Sequence, residues 1–364
     1  MTKYFSARDL DWTLLGFVLA LCTLGLLQIY SATRNTIWQG AHYRQALYIA
    51  VGLALMWLVA QIDYHTLLDR VPILYLIALA GLTAILALVE IKSGVRRWVP
   101  LFWGFNIQIS EFVKLVLVLV VARYFAEARQ DSVSGGDLLK IGGLVGAPML
   151  LVILQPNLGT ALSYLPIAAA GILAAGLRWK QVAVLVIAAA VVVPVWWTYF
   201  AKPYQRARVM SFDDPSRDPL GKGYQSIQSR IAVGAGGLWG KGIAQGTQTQ
   251  LRFLPEPHTD FIFSAYAEEH GFTGVLLALS VYFVVLMRII YNAQTAADRA
   301  GTLICLCVCL LLLFHLLVNV GMVVGRVPVT GIPLPFMSYG GSSMLTIFLL
   351  LGLVNNVRLR RFVN

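Results

Sequence analysis

Apolar residues gather into long runs at roughly 12–31, 44–62, 72–90, 107–126, 141–155, 159–177, 181–200, 264–291, 301–325 and 340–357. A helix needs about 20 mostly apolar residues to cross the roughly 30 Å hydrocarbon core of a bilayer. The pattern therefore predicts about ten transmembrane helices. The fifth run is short, and Gln155-Pro156-Asn157 marks its boundary with the sixth. Most intervals are tight, which predicts antiparallel neighbours. The exception is 201–263, too long and too dense in motifs to be a mere connector. The expected fold is an all-α polytopic membrane protein. It forms a single integral membrane domain over 1–364, with 201–263 as a long loop between the seventh and eighth helices.

Composition supports the same class. Hydrophobic residues make up 58% of the chain and charged residues 12%, and the mean hydropathy is +0.74. Soluble domains carry about 25% charged residues, so this chain cannot cover a water-facing surface, and it is too apolar to be disordered. The net charge of +11 is spread between the apolar runs rather than along one stripe. That excludes a nucleic-acid footprint and favours anionic lipid headgroups or an anionic lipid-borne substrate. Cys22, Cys305, Cys307 and Cys309 all lie in apolar runs, without metal-ligand spacing; they read as small core- or lipid-facing residues. Asp9 and Asp11 interrupt the basic flank of the first run, which reads as a retained span rather than a cleaved signal.

Lys and Arg in short loops set the orientation. With the N-terminus inside, one side holds Lys3, Arg8, Arg70, Arg123, Arg129, Lys140, Arg178, Lys180, Arg288, Arg299, Arg358, Arg360 and Arg361. The other holds Arg34, Arg44, Lys92, Arg96, Arg97 and Arg326. Both termini are then expected in the cytoplasm and the long loop outside. That loop carries eight basic residues, among them Arg206, Arg208 and Lys241, against five acids. They read as solvated charge or as a docking surface for a polyanion such as a pyrophosphate, which guanidinium and ammonium groups complement.

Chemistry concentrates in a few segments. Gly94-Val95-Arg96-Arg97-Trp98 precedes the fourth run, where Gln108-Ile109-Ser110-Glu111-Phe112-Val113-Lys114 follows. Trp98 suits an interfacial anchor. Glu111 and Lys114 share one helix face, and an intramembrane ionisable pair is either functional or a neutralised packing pair. The six glycines between Gly234 and Gly246 do not form a P-loop and suit a tightly folded or re-entrant backbone. Asp260 follows Pro255-Glu256-Pro257-His258-Thr259 and precedes Phe261-Ile262-Phe263. A carboxylate with one apolar side is a candidate general base; the competing role is a helix N-cap. Glu268 and Glu269 lie two turns further in. Pro328, Pro333 and Pro335 forbid a regular helix after the ninth run, and Ser338 to Ser343 then supply hydroxyls, as caps or as the polar lip of a groove.

Gly94 to Trp98, Gln108 to Lys114, Gln155 to Thr160, Gly223 to Ser229, Pro255 to Phe263 and Thr330 to Ser343 resemble the motifs of the SEDS family (shape, elongation, division and sporulation). The resemblance runs nearly the whole length, closer to the rod-shape branch than to the division branch. It implies a bacterial cytoplasmic-membrane peptidoglycan glycosyltransferase with its active site on the extracytoplasmic side. It also implies that lipid II is polymerised into β-1,4-linked strands during elongation, with a class B penicillin-binding protein and the elongation complex as partners.

The family's essential aspartate matches Asp260, its characteristic tryptophan Trp98, and its fourth-helix Glu and Lys match Glu111 and Lys114. Ile109 and Asn157 depart from a usual proline and a frequent aspartate. The catalytic candidate is Asp260. The substrate-binding candidates are Trp98, Arg97, Glu111, Lys114, Arg206, Arg208, Lys241, His258, Thr259, Ser338 and Ser342. A divalent cation, Mg or Mn, is a possible cofactor. The alternatives are a flippase for lipid-linked precursors, which shares many spans and buried charge, and a non-catalytic scaffold for the transpeptidase.

Overall fold

A computed structural model describes residues 9–34, 36–88, 98–100, 106–128, 133–218 and 221–361. The segment 94–97, including the candidate Arg97, lies outside them, as do Lys3, Arg8, Lys92 and Arg129 of the orientation argument.

The early helices are α1 (Trp12–Thr33), α2 (Ala41–Gln61), the short α3 (Tyr64–Asp69), α4 (Val71–Leu88), α5 (Ile109–Glu127) and α6 (Gly135–Leu154). A broken pair, α7 (Leu158–Leu162) and α8 (Leu165–Ala174), precedes α9 (Trp179–Val195), which ends in a π turn over Trp196–Phe200. After the long connection come α13 (Ile262–Gln294), α14 (Arg299–Val323) and α15 (Gly341–Leu359). Among the described residues, eight helices are long and apolar enough to cross a membrane. Helix α5 and the α7–α8 pair occupy the other two expected segments.

Three elements differ from the hydropathy pattern. The fifth expected run is a full 20-residue helix, because Ser134 and Asp137 form a capping box that starts the helix at Gly135, six residues before the apolar run begins. The sixth is broken: Ser163 Oγ donates to the Thr160 carbonyl at 2.6 Å, and Pro166 has no N–H to continue the ladder. The connection over 201–263 is mostly helical, with α10 (Pro203–Asp213), α11 (Lys222–Ala235) and α12 (Thr247–Gln250).

The core lies where α14 and α15 meet α2, α5, α8 and α13. All four cysteines are buried there as free thiols. Helix α9 contributes no buried residue. At the other end of α1, the side chain of Asp11 is fully enclosed. It accepts hydrogen bonds from Leu14 N, Arg288 Nη2, Asn292 Nδ2 and Arg358 Nη1, joining α1, α13 and α15.

The glycine segment is a backbone-to-backbone dock. Gly271 interrupts α13 with φ 65° and ψ −166°, which frees main-chain groups on both sides. Lys241 N and Gly242 N donate to the carbonyls of Glu268 and Glu269 at 3.0 Å each. Phe272 N and Thr273 N donate to Gly237 and Leu238 at 2.9 and 3.1 Å. A Cβ on Gly240 would lie 2.2 Å from the Glu269 carbonyl oxygen, so only glycine permits this approach.

Candidate active site

Asp260 is half-buried at the start of α13. The N-cap position falls on Phe261, one residue later, so the expected capping competitor is not at the helix start. The segment before it is fastened carbonyl by carbonyl. The His258 carbonyl accepts from Tyr339 N at 2.9 Å, the Thr259 carbonyl from Ser338 Oγ at 2.7 Å, and the Asp260 carbonyl from Asn319 Nδ2 at 3.1 Å. Ser338 Oγ also accepts from Leu334 N at 2.8 Å. The expected hydroxyl lip thus includes a bracket that seats residues 258–260 on the turn before α15.

That turn passes close to the carboxylate. Gly331 has φ +72°, and a Cβ there would lie 3.4 Å from Asp260 Oδ2. The neighbouring Thr330 carbonyl accepts from Arg208 Nη1 at 3.2 Å, which brings α10 to the same place. Asp260, Arg208, His258, Thr259 and Ser338 therefore converge. His258 packs between Trp38 and Tyr339, ring centroids 5.3 and 5.7 Å away, and burial pushes its imidazole down to about 4. It stands beside Asp260 as a neutral ring.

A second polar group lies inside the bundle. Lys114 Nζ donates to both oxygens of Glu111 at 2.9 Å and meets His315 Nε2 at 3.4 Å. The other ring nitrogen of His315 faces the Pro333 carbonyl at 3.3 Å. A carbonyl only accepts, so Nδ1 carries the proton and Nε2 accepts from the ammonium. All three Lys114 protons are thereby directed within the protein. Thr160 Oγ1 donates to Glu111 Oε1 at 3.4 Å. The group reaches the Asp260 turn through Pro333.

Ser342 serves a hairpin rather than this group. Its Oγ accepts from Gln108 N at 2.9 Å and donates to the Asn106 carbonyl at 3.4 Å. That fixes strand β2 (Asn106–Ile107), which pairs antiparallel with β1 (Val99–Pro100). Trp98, directly before β1, is exposed.

Two basic candidates sit elsewhere. Lys241 Nζ donates to Glu268 Oε1 at 3.1 Å and Thr247 Oγ1 at 2.6 Å. Glu268 is fully buried and also accepts from Gln248 N, Thr249 N and Thr249 Oγ1. Arg206 Nη2 donates to the Trp197 and Thr198 carbonyls at 3.0 Å each, closing the π turn. Glu269 accepts from Ser31 Oγ at 2.5 Å. His315 and Asn319 were not among the expected residues. Their i, i+4 polar spacing inside the apolar α14 was the available signal.

A resident divalent cation finds no ready ligand set here. Among the described residues no group of three His, Cys, Asp or Glu side chains converges, and Arg208 is bound to the Thr330 carbonyl of the turn beside Asp260.

Fold and site together define a polytopic membrane protein with a polar platform built on the 330–339 turn. The family model for FtsW, RodA and SpoVE, described as cell cycle protein, matches residues 12–361, and the chain belongs to that family. It is 39% identical over 363 residues to the peptidoglycan glycosyltransferase MrdB of Escherichia coli (strain K12), across 98% of this chain and 96% of that protein. It is 34% identical over 359 residues to the stage V sporulation protein E of Bacillus subtilis (strain 168), across 95% and 96%. Among solved structures, a chain from a peptidoglycan synthase complex that coordinates polymerization and crosslinking matches with TM-score 0.82 at 33% identity, covering 98% and 99%. The rod shape determining protein RodA of Thermus thermophilus matches with TM-score 0.72 at 27% identity, covering 98% of each. Within the family the chain is of the RodA type.

Proposed function

We infer that the chain is a peptidoglycan glycosyltransferase of the elongation machinery, acting at the outer face of the bacterial cytoplasmic membrane. It polymerises lipid II and works beside a class B penicillin-binding protein. The observation that carries this is Asp260: a half-buried carboxylate whose backbone is fastened at three successive carbonyls, with Arg208 bound to the adjoining turn.

An α-linked donor and a β-linked product require one inversion at the anomeric carbon. The acceptor hydroxyl oxygen forms the new bond to that carbon. The bond from the carbon to the pyrophosphate oxygen breaks, and undecaprenyl pyrophosphate leaves with the electron pair. The hydroxyl proton passes to Asp260, acting as general base. Arg208, bound to the Thr330 carbonyl of the turn beside Asp260, is a cationic candidate for the departing pyrophosphate, where charge develops. Lys114, with its protons engaged by Glu111 and His315, supports the site from below.

The test supplies lipid II to the purified chain in detergent, where transport cannot be scored. Glycan strands are expected from the native protein and none from folded Asp260→Ala. Strands from Asp260→Ala at the native rate would falsify the base assignment. Absence of strands from the native protein, alone and with its transpeptidase partner, would favour the flippase or scaffold alternatives.

A further inference from the structure

Asp260 stands beside the proline-rich turn at Gly331, and Ile332 is the next residue of that turn. One buried side chain joins the two. Asn319, on α14 one turn beyond His315, is fully enclosed. Its Nδ2 donates to the Asp260 carbonyl at 3.1 Å and to the Ile332 carbonyl at 2.9 Å. Both acceptors are carbonyl oxygens, so the amide nitrogen, not its oxygen, must face them. Among the described residues its Oδ1 has no donor, so the contacts that orient the amide are those to these two carbonyls.

We propose that Asn319 is a positioning residue for Asp260, fixing where its carboxylate stands against the Gly331–Ile332 turn. This rests on Asp260 being the proton acceptor. The carboxylate and the turn are neighbours: a Cβ on Gly331 would lie in ordinary van der Waals contact with Asp260 Oδ2, at 3.4 Å. The other two carbonyls of the platform are held by Ser338 and Tyr339 N at the far end of the turn, so its attachment survives loss of Asn319, while the link between Asp260 and Ile332 does not. No other residue type of this size supplies two N–H donors from one atom: aspartate is isosteric but only accepts, and leucine does neither.

The expected result is a split in kinetic constants. A misplacement of about 1 Å costs on the order of 100-fold in rate. Asn319→Ala and Asn319→Asp should thus lower kcat about 10- to 100-fold, with KM for lipid II within about threefold, because substrate contacts are untouched. The pH dependence of kcat should move in both variants, since the surroundings of the base change, whereas a purely structural defect would leave its midpoint in place.

Asp260→Ala, measured in parallel, separates the two claims. If it polymerises normally, the base assignment fails and the positioning claim falls with it. If it is inactive while folded Asn319→Ala keeps kcat within twofold of native, the positioning claim alone is overturned. It is overturned equally if the rate loss vanishes on normalising to folded protein, or if neither Asn319 variant can be recovered folded, which would make Asn319 a folding residue.

Discussion

Lys114 Nζ lies 2.9 Å from both carboxylate oxygens of Glu111, three residues earlier on the same helix, with both side chains almost wholly enclosed. Removing one partner strands the other charge in the bundle. Breaking a buried pair in this way costs about 3–5 kcal/mol. Lys114→Ala and Glu111→Ala should each lower the unfolding midpoint in detergent well below native. The paired exchange Glu111→Gln with Lys114→Met should recover most of the loss, because it leaves no unpaired charge. Equal midpoints for single and paired variants would contradict this account.

Asp11 gathers Arg288, Asn292 and Arg358 around one carboxylate whose side chain is fully enclosed, while the two arginines keep 25% and 15% exposure. Hydration of the arginines discounts the energy of the clasp, so Asp11→Ala is expected to cost about 2–3 kcal/mol. The effect should be confined to stability. Polymerisation per folded molecule should stay within about twofold of native, since the clasp lies at the far end of α1 and α13 from Asp260.

Gly240→Ala should be among the most damaging small substitutions. The new methyl carbon would sit 2.2 Å from the Glu269 carbonyl oxygen, at a backbone φ of +80°. Overpacking of this kind typically costs 1–3 kcal/mol, roughly, with about 1 kcal/mol more for the left-handed backbone. Gly143→Ala, where a Cβ meets nothing within 4 Å, is the matched control and should be neutral or slightly stabilising. Limited proteolysis near 236–246 would reveal the difference.

Burial holds the His258 imidazole at about 4, below its value of about 6.5 in an unfolded chain. The neutral ring is the form the fold accepts. Stability from this site is therefore complete above about pH 6.5 and falls as the pH drops toward 4, because only the unfolded chain takes up the proton. The full difference is on the order of 3 kcal/mol. His258→Gln should flatten the fall of the unfolding midpoint between pH 7 and 5. An unchanged slope would mean that other groups carry the dependence.

The helices were legible because apolar runs of bilayer length are set by composition alone. Their ends were less so: Ser134 and Asp137 extend α6 into a stretch whose Asp137 and Lys140 dilute the apolar signal. Asp260 and the Glu111–Lys114 pair were legible because an ionisable residue beside or within an apolar run stands out. What each cation touches was not. Arg206, Arg208 and Lys241 are alike in sequence, yet one closes a turn on Trp197 and Thr198, one reaches Thr330, and one neutralises Glu268. Those partners are 8 to 122 residues away along the chain, and no local pattern encodes them. His315 and Asn319 were overlooked for a related reason: within one hydrophobic span, two polar side chains look incidental until the Ile332 and Pro333 carbonyls of the following turn fold back over them.

Main-chain oxygens are common to every amino acid, and the loop leading into α13 is gripped by them. The Thr259 carbonyl is thus held by the Ser338 hydroxyl whatever side chain stands at 259, the Thr259 hydroxyl adding one longer bond, 3.4 Å, to the Glu256 carbonyl. The side chain at 259 can therefore be varied while its acidic neighbour stays moored. Evolution would have had the same latitude.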